Sequence, residues 1–222
     1  MDKVEFIDAF YDDHYQKLMG TGLISNYWAL IHKQMEKPFL KKNLSQILEI
    51  GAGNGEHLNY VARNFEKYTA TDLRLNNLRS IATVGTSIVT SVQNAENLKF
   101  DNESFDRVIV TCLLVHLDKP EKAIAEMKRV VKKNGGYVTV YLPCEPGIFL
   151  RLVRKYSTHR KAKKLGISNI QRLHYLEHRN YYLAVDNLIV NTFEKSQIQS
   201  RFYPFPFLTW NFNLYKIYQV SL

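Results

Sequence analysis

The sequence feature that most constrains the fold is a set of three glycines directly behind a short apolar run. Residues 47–58 read Ile-Leu-Glu-Ile-Gly-Ala-Gly-Asn-Gly-Glu-His-Leu, which places glycines at Gly51, Gly53 and Gly55. Glycine loses more conformational freedom on folding than other residues, so three at alternate positions indicate a backbone that a ligand must approach closely. The segment therefore predicts a strand that ends in a ligand-binding turn.

Short apolar runs alternate with helix-length segments along the chain. Apolar residues recur with helical period at 56–65 and 119–133, and Pro120 suits the first turn of the second helix. Because most of the apolar runs do not alternate with polar residues, they are typical of strands covered on both faces. We predict an α/β, doubly wound, mainly parallel sheet with strands at residues 46–50, 68–71, 88–92, 107–112 and 136–142.

A carboxylate stands at the end of the second predicted strand. In open parallel sheets a ligand binds beyond the carboxyl ends of the strands, and the first strand-to-helix turn is glycine-rich to admit it. Asp72 lies 21 residues after Gly51, about the spacing at which a carboxylate accepts hydrogen bonds from ribose hydroxyls. Together the turn and Asp72 predict a ligand derived from an adenine nucleoside.

The residue after the third glycine distinguishes two kinds of adenosine ligand. A dinucleotide fingerprint needs glycine where Glu56 stands, and a carboxylate there would repel a pyrophosphate. A nicotinamide oxidoreductase is therefore disfavoured. The pattern Glu49-x-Gly51-x-Gly53-x-Gly55 instead resembles motif I of the class I S-adenosylmethionine-dependent methyltransferases, whose cofactor carries no phosphate.

The resemblance extends over residues 47–142 and keeps its motifs in order. Residues 69–73 resemble the ribose-binding segment, 94–98 the adenine loop and 104–116 the fourth strand with its following loop, although Asp is commoner than Asn94. The branch that resembles the chain most contains the ubiquinone/menaquinone-biosynthesis methyltransferases. The resemblance implies that S-adenosyl-L-methionine is bound by Glu49, Gly51, Ala52, Gly53, Gly55, Asp72, Leu73, Asn94, Ala95, Glu96, Thr111, Cys112 and Tyr15.

The resemblance also implies a Rossmann-like sheet of seven strands in which the last strand is antiparallel. Residues 196–203 and 213–222 are predicted to supply the last two strands, joined by an aromatic loop. We expect one methyltransferase domain over residues 1–222. It would consist of N-terminal lid helices at 1–44, a cofactor-binding core at 45–142, a basic helical cap at 143–195 and the final strand pair at 196–222.

Methyl transfer needs alignment of the acceptor with an electrophilic carbon and exclusion of water. A hydroxyl acceptor also needs a base, and His116 at the end of the fourth strand is the candidate. An alternative is that His116 only bonds to nearby backbone, or positions an amine that arrives neutral. We predict methylation of oxygen or nitrogen.

Several other motifs resemble functional sites but give weaker evidence for a function. The pattern His174-x-x-Glu177-His178 matches an inverted zinc-protease motif, but nothing else in the chain suggests a peptidase, so we expect no metal site. Pro143-Cys144 resembles the nucleophilic cysteine segment of cytosine-5 methyltransferases, but the acidic and Pro-Cys motif expected after the fourth strand is replaced by residues 111–116, so we do not expect covalent catalysis. Asn180 and the apolar residues through Ile189 are predicted to continue the helix that contains His178. The adenine and glutamine amino-methylation signature is absent, so no nucleic-acid partner is expected. The basic pI and the tyrosine content favour one alternative, a nucleic-acid-binding protein with a methyltransferase fold.

The net charge of +9 is carried by the last third of the chain, where residues 148–222 hold 12 Lys and Arg against 3 Asp and Glu. Concentrated positive charge attracts anions. The first residues lack a signal-peptide pattern and no apolar run approaches the length of a membrane span, so a cytoplasmic protein is expected.

Seven of these basic residues lie between Arg151 and Lys164 without an acid among them. One interpretation is a solvated helix that packs Ile148, Leu152 and Tyr156 on the body of the protein. The other is a site for an anionic acceptor, a phosphorylated metabolite or sugar nucleotide, with a lipid or quinone-type substrate at an anionic membrane surface as its alternative. We predict substrate contacts at Glu145, Arg151, Arg154, Lys155 and His178.

Overall fold

Seven strands form one sheet in the computed structural model, which describes residues 10, 14, 17, 18, 22–62, 64–81, 87–167 and 170–222. The order is β3-β2-β1-β4-β5-β7-β6, with β1 to β5 parallel and β7 antiparallel to both of its neighbours. The predicted doubly wound sheet is confirmed. The strands are β1 Gln46–Ile50, β2 Lys67–Asp72, β3 Ile88–Val92, β4 Arg107–Thr111, β5 Tyr137–Pro143, β6 Gln197–Tyr203 and β7 Tyr215–Ser221.

Helices cover both faces of the sheet. On one face, α3 and α7 pack together over a core that includes Val108, Val138 and Val140. On the other face, Ile31 and Met35 of α1 are buried against the sheet. The helices are α1 Leu23–Glu36, α2 Leu75–Arg79, α3 Pro120–Val130, α4 Ile148–Tyr156, α5 Thr158–Lys164, α6 Ile170–Glu177 and α7 Tyr182–Thr192.

Two helix predictions were wrong. The described residues of the segment 56–65, which exclude residue 63, contain a short 3-10 turn, His57–Asn59, and no α-helix. Here His57 bonds to Glu36, and the Tyr60 ring stacks on His32 at a centroid distance of 5.0 Å. The predicted continuation through Asn180 is broken between α6 and α7. There the backbone N–H groups of residues 179 and 180 donate to the Val115 carbonyl, which ends helical hydrogen bonding.

A buried ion pair attaches α1 to the sheet. Arg107 of β4 donates from both terminal nitrogens to the Glu36 carboxylate, at 2.9 and 2.7 Å, and from Nε to Thr139 Oγ1 at 3.2 Å. His57 Nε2 lies 2.9 Å from Glu36 Oε1. Burial alone would raise the pKa of Glu36, but the bonds from His57 and Arg107 lower it to about 2, so the carboxylate is ionised.

Replacing Arg107 with Met should lower the free energy of unfolding by roughly 3–5 kcal/mol, because the ionised Glu36 carboxylate would stay buried without its main partner. Urea denaturation measures the change. Arg201→Met on the exposed edge strand β6 is the control, and we expect it to cost less than about 1 kcal/mol. A loss below about 1 kcal/mol for Arg107→Met would contradict the role given to this pair.

Candidate active site

A cavity of about 960 Å³ opens at the carboxyl ends of the parallel strands. Its floor is formed by the ends of β1, β2, β3 and β4. The strand order reverses between β1 and β4, which is where ligands bind in open parallel sheets. The outer wall of the cavity comes from α1, α4 and α6. The cavity therefore has one half beside the glycine turn and another beneath these helices.

The glycine turn occupies the end of β1, and its conformation excludes side chains. Gly51 has φ +71°, and an added Cβ would lie 2.9 Å from the Leu113 side chain. Gly55 has φ +79°, and an added Cβ would lie 2.7 Å from Ile81. Both positions need glycine, because a side chain would strain the backbone and would have no space. Gly51 and Gly53 line the cavity, whereas Gly55 supports the turn from behind.

Asp72 connects the glycine turn to the end of β2. Its carboxylate accepts from Gly53 N at 3.0 Å, Arg74 N at 2.8 Å and Asn77 Nδ2 at 3.1 Å. A carboxylate has about four lone-pair sites, so one remains free for a ligand hydroxyl. Leu73 lies beside it with an exposed side chain that can cover a flat ring. The residues therefore fit the ribose and base of an adenosine group.

The loops after β3 and β4 complete this half of the cavity. Asn94 Oδ1 accepts from Glu96 N at 2.9 Å, and Glu96 Oε1 accepts from Lys119 N at 2.8 Å, so the loop is held from both sides. Cys112 adopts a left-handed φ of 57°. Such a φ is unusual for a residue other than glycine, and it ends β4 directly at the cavity.

The structure brings most of the predicted cofactor residues to this cavity and leaves out three described ones, Glu49, Ala52 and Gly55. Ala52 is buried behind the turn. Glu49, which was also predicted to contact the cofactor, does not line the cavity. Tyr15 lies outside the described residues. The predicted residues that line the cavity are Gly51, Gly53, Asp72, Leu73, Asn94, Ala95, Glu96, Thr111 and Cys112.

Glu49 points away from the cavity because side chains alternate along a strand. Its carboxylate is fully buried and accepts from the Tyr68 hydroxyl at 2.6 Å. Burial raises the pKa of Glu49 to about 7. The acid of motif I therefore belongs to the core beneath α1 in this protein.

A cluster of polar side chains lies in the other half of the cavity. Glu145 accepts from Arg154 at 2.5 Å and pairs with Nδ1 of His178. The His178 ring contacts the His116 ring in a T-shaped arrangement, at a centroid distance of 4.8 Å. His116 Nδ1 lies 3.2 Å from the Glu177 carbonyl oxygen, to which it donates when it carries the proton. His116, Arg154 and His178 line the cavity, whereas Glu145 is behind them.

The charge states of this cluster follow from burial. Burial and the neighbouring His178 lower the pKa of His116 to about 3, so its imidazole is neutral at physiological pH. Burial alone would raise the pKa of Glu145, but His178 and Arg154 lower it to about 2. The result is an ionised Glu145 whose charge is balanced by Arg154.

The predicted group of three cations around one anion does not form. Arg151 and Lys155 are exposed and do not line the large cavity, because their side chains are on the solvent side of α4. Arg151 borders a smaller depression beside Glu145 and His178. The alternative interpretation, in which Ile148, Leu152 and Tyr156 pack on the body of the protein, does not agree with the structure, since all three side chains are exposed.

The aromatic and apolar wall of the cavity was not predicted from the sequence. Tyr27 and Trp28 come from α1, and the Trp28 ring contacts Tyr141 of β5 at a centroid distance of 5.5 Å. The aromatic content of residues 10–36 was a signal for this wall, but it did not indicate which rings face inward. Further cavity residues that were not predicted are Asn54, Arg74, Asn77, Leu113, Leu150, Val153 and Leu173.

The glycine turn, the ribose-type carboxylate and the seven-stranded sheet with an antiparallel β7 define a class I S-adenosylmethionine-dependent methyltransferase domain. A family model described as a methyltransferase domain matches residues 48–139. The matched residues include the turn, Asp72 and both loops of the cofactor half. The predicted family is therefore confirmed.

Comparison with known proteins gives the same result. The chain is 32% identical over 130 residues to the ubiquinone/menaquinone biosynthesis C-methyltransferase UbiE of Bordetella parapertussis. The matched region is 53% of this chain and 47% of the relative. The UbiE protein of Bordetella bronchiseptica matches to the same extent. The chain thus spans about half the length of the curated relatives it matches.

Solved structures share the fold at low sequence identity. The N-methyltransferase NodS of Bradyrhizobium japonicum, in complex with S-adenosyl-L-homocysteine, superposes with a TM-score of 0.66 at 13% identity, covering 100% of this chain and 98% of NodS. A possible histamine N-methyltransferase of Thermotoga maritima gives 0.64 at 18% identity, covering 97% and 98% of the two chains. These identities support the fold and no finer assignment.

Two carboxylate-to-amide substitutions distinguish a cofactor contact, Asp72, from a core residue, Glu49. Asp72→Asn should weaken S-adenosylhomocysteine binding by roughly 1.5–3 kcal/mol, since a charge-assisted hydrogen bond to ribose is lost. Glu49→Gln is the matched control and should leave the affinity within about twofold. Isothermal titration calorimetry measures both. Equal losses in the two variants would remove the ribose assignment of Asp72.

Proposed function

We propose that this chain transfers the methyl group of S-adenosylmethionine to an oxygen or nitrogen of a small acceptor with an apolar body. The observation that supports this proposal is the composition of the second half of the cavity. Its walls are apolar and aromatic, and its polar groups gather around His116 and His178. The wall residues are Tyr27, Trp28, Tyr141, Leu150, Val153, Ile170 and Leu173.

Pairing of Arg154 argues against the anionic acceptor predicted from the sequence. Arg154 is the one cation of the predicted triplet that reaches the cavity, and its charge is balanced by Glu145 at 2.5 Å. A phosphate would have to share this cation with a carboxylate already in contact with it, which weakens its binding. The lipid or quinone-type alternative therefore agrees better with the geometry.

The name of the curated relatives supports the same choice. UbiE is a C-methyltransferase of ubiquinone and menaquinone biosynthesis, and it matches this chain over 130 residues. We propose that the acceptor shares the character of such molecules, an apolar and aromatic body with a polar group near the reacting atom. Trp28 and Tyr141 offer ring faces against which such a body can pack.

When bound, the cofactor supplies an electrophilic methyl group, so the protein has to align the acceptor, exclude water and remove a proton. In this proposal α1 and α4 exclude water with Trp28 and Leu150. Glu145 orients His178 through Nδ1, which leaves Nε2 as the acceptor for the proton of a hydroxyl. The ionised carboxylate then stabilises the protonated ring.

His116 has a different role in this proposal. Its lowered pKa makes the imidazole a weak base, because a charge there would be buried beside His178. With Nδ1 donating to the Glu177 carbonyl, Nε2 can accept a hydrogen bond that orients the acceptor. His116 therefore positions the acceptor, and the base role predicted from the sequence moves to His178.

A panel of acceptors tests the proposed substrate class. With isotopically labelled S-adenosylmethionine, apolar phenols and aromatic amines should be methylated with kcat/KM at least tenfold above that for phosphorylated sugars or sugar nucleotides. Trp28→Ala should raise the KM of the apolar acceptors, and Leu30→Ala on the exposed side of α1 is the control. Preferential methylation of the phosphorylated compounds would overturn the apolar acceptor.

Substitution of the two histidines tests the proton acceptor. For a hydroxyl acceptor, His178→Ala should lower kcat by ~10²–10⁴-fold with nearly unchanged cofactor affinity, and Glu145→Gln should lower kcat less. His116→Asn should keep the shape of the pH–rate profile between pH 6 and 9, because the pKa of His116 is lowered to about 3 and its charge does not change there. Loss of a pH-dependent step in His116→Asn alone would instead identify His116 as the base.

A further inference from the structure

Helix α4 has two apolar surfaces, and only one of them is covered. Leu150, Val153 and Arg154 lie on the side that lines the cavity. On the opposite side, Ile148, Leu152 and Tyr156 are 54%, 48% and 61% exposed. These three residues are four apart, so they form one stripe along the helix. A soluble helix normally turns such a stripe toward the core, which makes this one a candidate contact surface.

Basic side chains border the exposed stripe. Arg151 and Lys155 are exposed and lie on the same outward half of α4. The following helix α5 adds three more exposed cations, Arg160, Lys163 and Lys164. Residues 148–164 contain no Asp or Glu. The stripe is therefore flanked by positive charge that no acid within the segment balances.

An aromatic loop adjoins the amino end of α4. The Phe149 ring contacts Phe205 at a centroid distance of 5.7 Å, and Phe205 contacts Phe207 at 6.4 Å. Phe207 is 82% exposed. An added Cβ on Gly147 would lie 3.1 Å from the Trp210 carbonyl oxygen, so the backbones of the loop and the helix are in close approach. The loop extends the apolar surface beyond the helix.

We infer that this α4 surface, composed of Ile148, Arg151, Leu152, Lys155 and Tyr156 with Phe205 and Phe207, binds an anionic lipid bilayer. Apolar residues of an interfacial helix enter the boundary between headgroups and acyl chains, while Lys and Arg contact lipid phosphates. The surface offers both at once. In the described part of the chain no helix is long and apolar enough to cross a membrane, so the contact is peripheral.

The same helix connects this surface with the cavity. Leu150 and Val153 line the cavity from the inner side of α4, one or two residues from Leu152 on the outer side. An apolar acceptor dissolved in the bilayer would thus be delivered beside the site. Membrane binding itself depends only on the surface residues, so its test needs neither the acceptor nor turnover.

Cosedimentation with vesicles tests the inference. The protein should bind vesicles of 70% phosphatidylcholine and 30% phosphatidylglycerol, and binding should fall steeply in 0.5 M NaCl and with phosphatidylcholine alone. The double substitution Arg151→Gln with Lys155→Gln should reduce the partition coefficient by roughly 10–30-fold, because each residue is expected to lose about one contact with a lipid phosphate. Leu152→Ser with Phe207→Ser should reduce it roughly tenfold or more.

Matched controls lie at the opposite end of the sheet, near the start of β1. Lys37→Gln with Lys41→Gln, and Leu40→Ser, alter exposed residues of similar types and should change the partition coefficient less than twofold. Equal loss in the controls, or no binding of the unaltered protein to anionic vesicles, would overturn the inference. So would a dimer, seen by sedimentation velocity, that Leu152→Ser with Phe207→Ser converts to a monomer while vesicle binding is absent.

Discussion

The ion pair between Arg107 and Glu36 is the interaction on which the site depends. Arg107 is fully buried in the central strand β4, and its guanidinium also lies 3.6 Å from the centroid of the Phe39 ring. Because an uncompensated buried charge is costly, α1 can occupy one position against the sheet. That position places Tyr27 and Trp28 over the cavity. Glu36 also holds His57, two residues behind the last glycine of the turn.

The two halves of the cavity are built by different means. The cofactor half is mainly backbone, since Gly51 and Gly53 leave space for the ligand and Asp72 is aimed by three donors. The acceptor half is made of side chains from helices outside the sheet. Backbone at the ends of parallel strands is rigidly placed, which suits a common cofactor. Side chains on helices outside the sheet can be substituted to suit a particular acceptor.

Helix α4 joins the proposed chemistry to the proposed membrane contact. Its inner side supplies Arg154, which pairs with Glu145. The same carboxylate also pairs with His178. The outer side of the helix presents apolar and basic residues to solvent. The positive charge concentrated in the last third of the chain is therefore divided between two uses. Arg154 is paired with Glu145 inside the site, whereas the exposed cations form a surface that attracts anions.

The sequence by itself determined the strands, the glycine turn, Asp72 and the family, because these depend on local spacing and on backbone conformations that few residues adopt. Tertiary structure decided which side of each element is covered. Periodicity marks an apolar stripe on α4 but does not say what it faces, so the sequence left open whether Ile148, Leu152 and Tyr156 are covered. The burial of Glu49 and the pairing of Arg154 likewise depend on partners distant in sequence, Tyr68 and Glu145, which only the packed fold brings into contact.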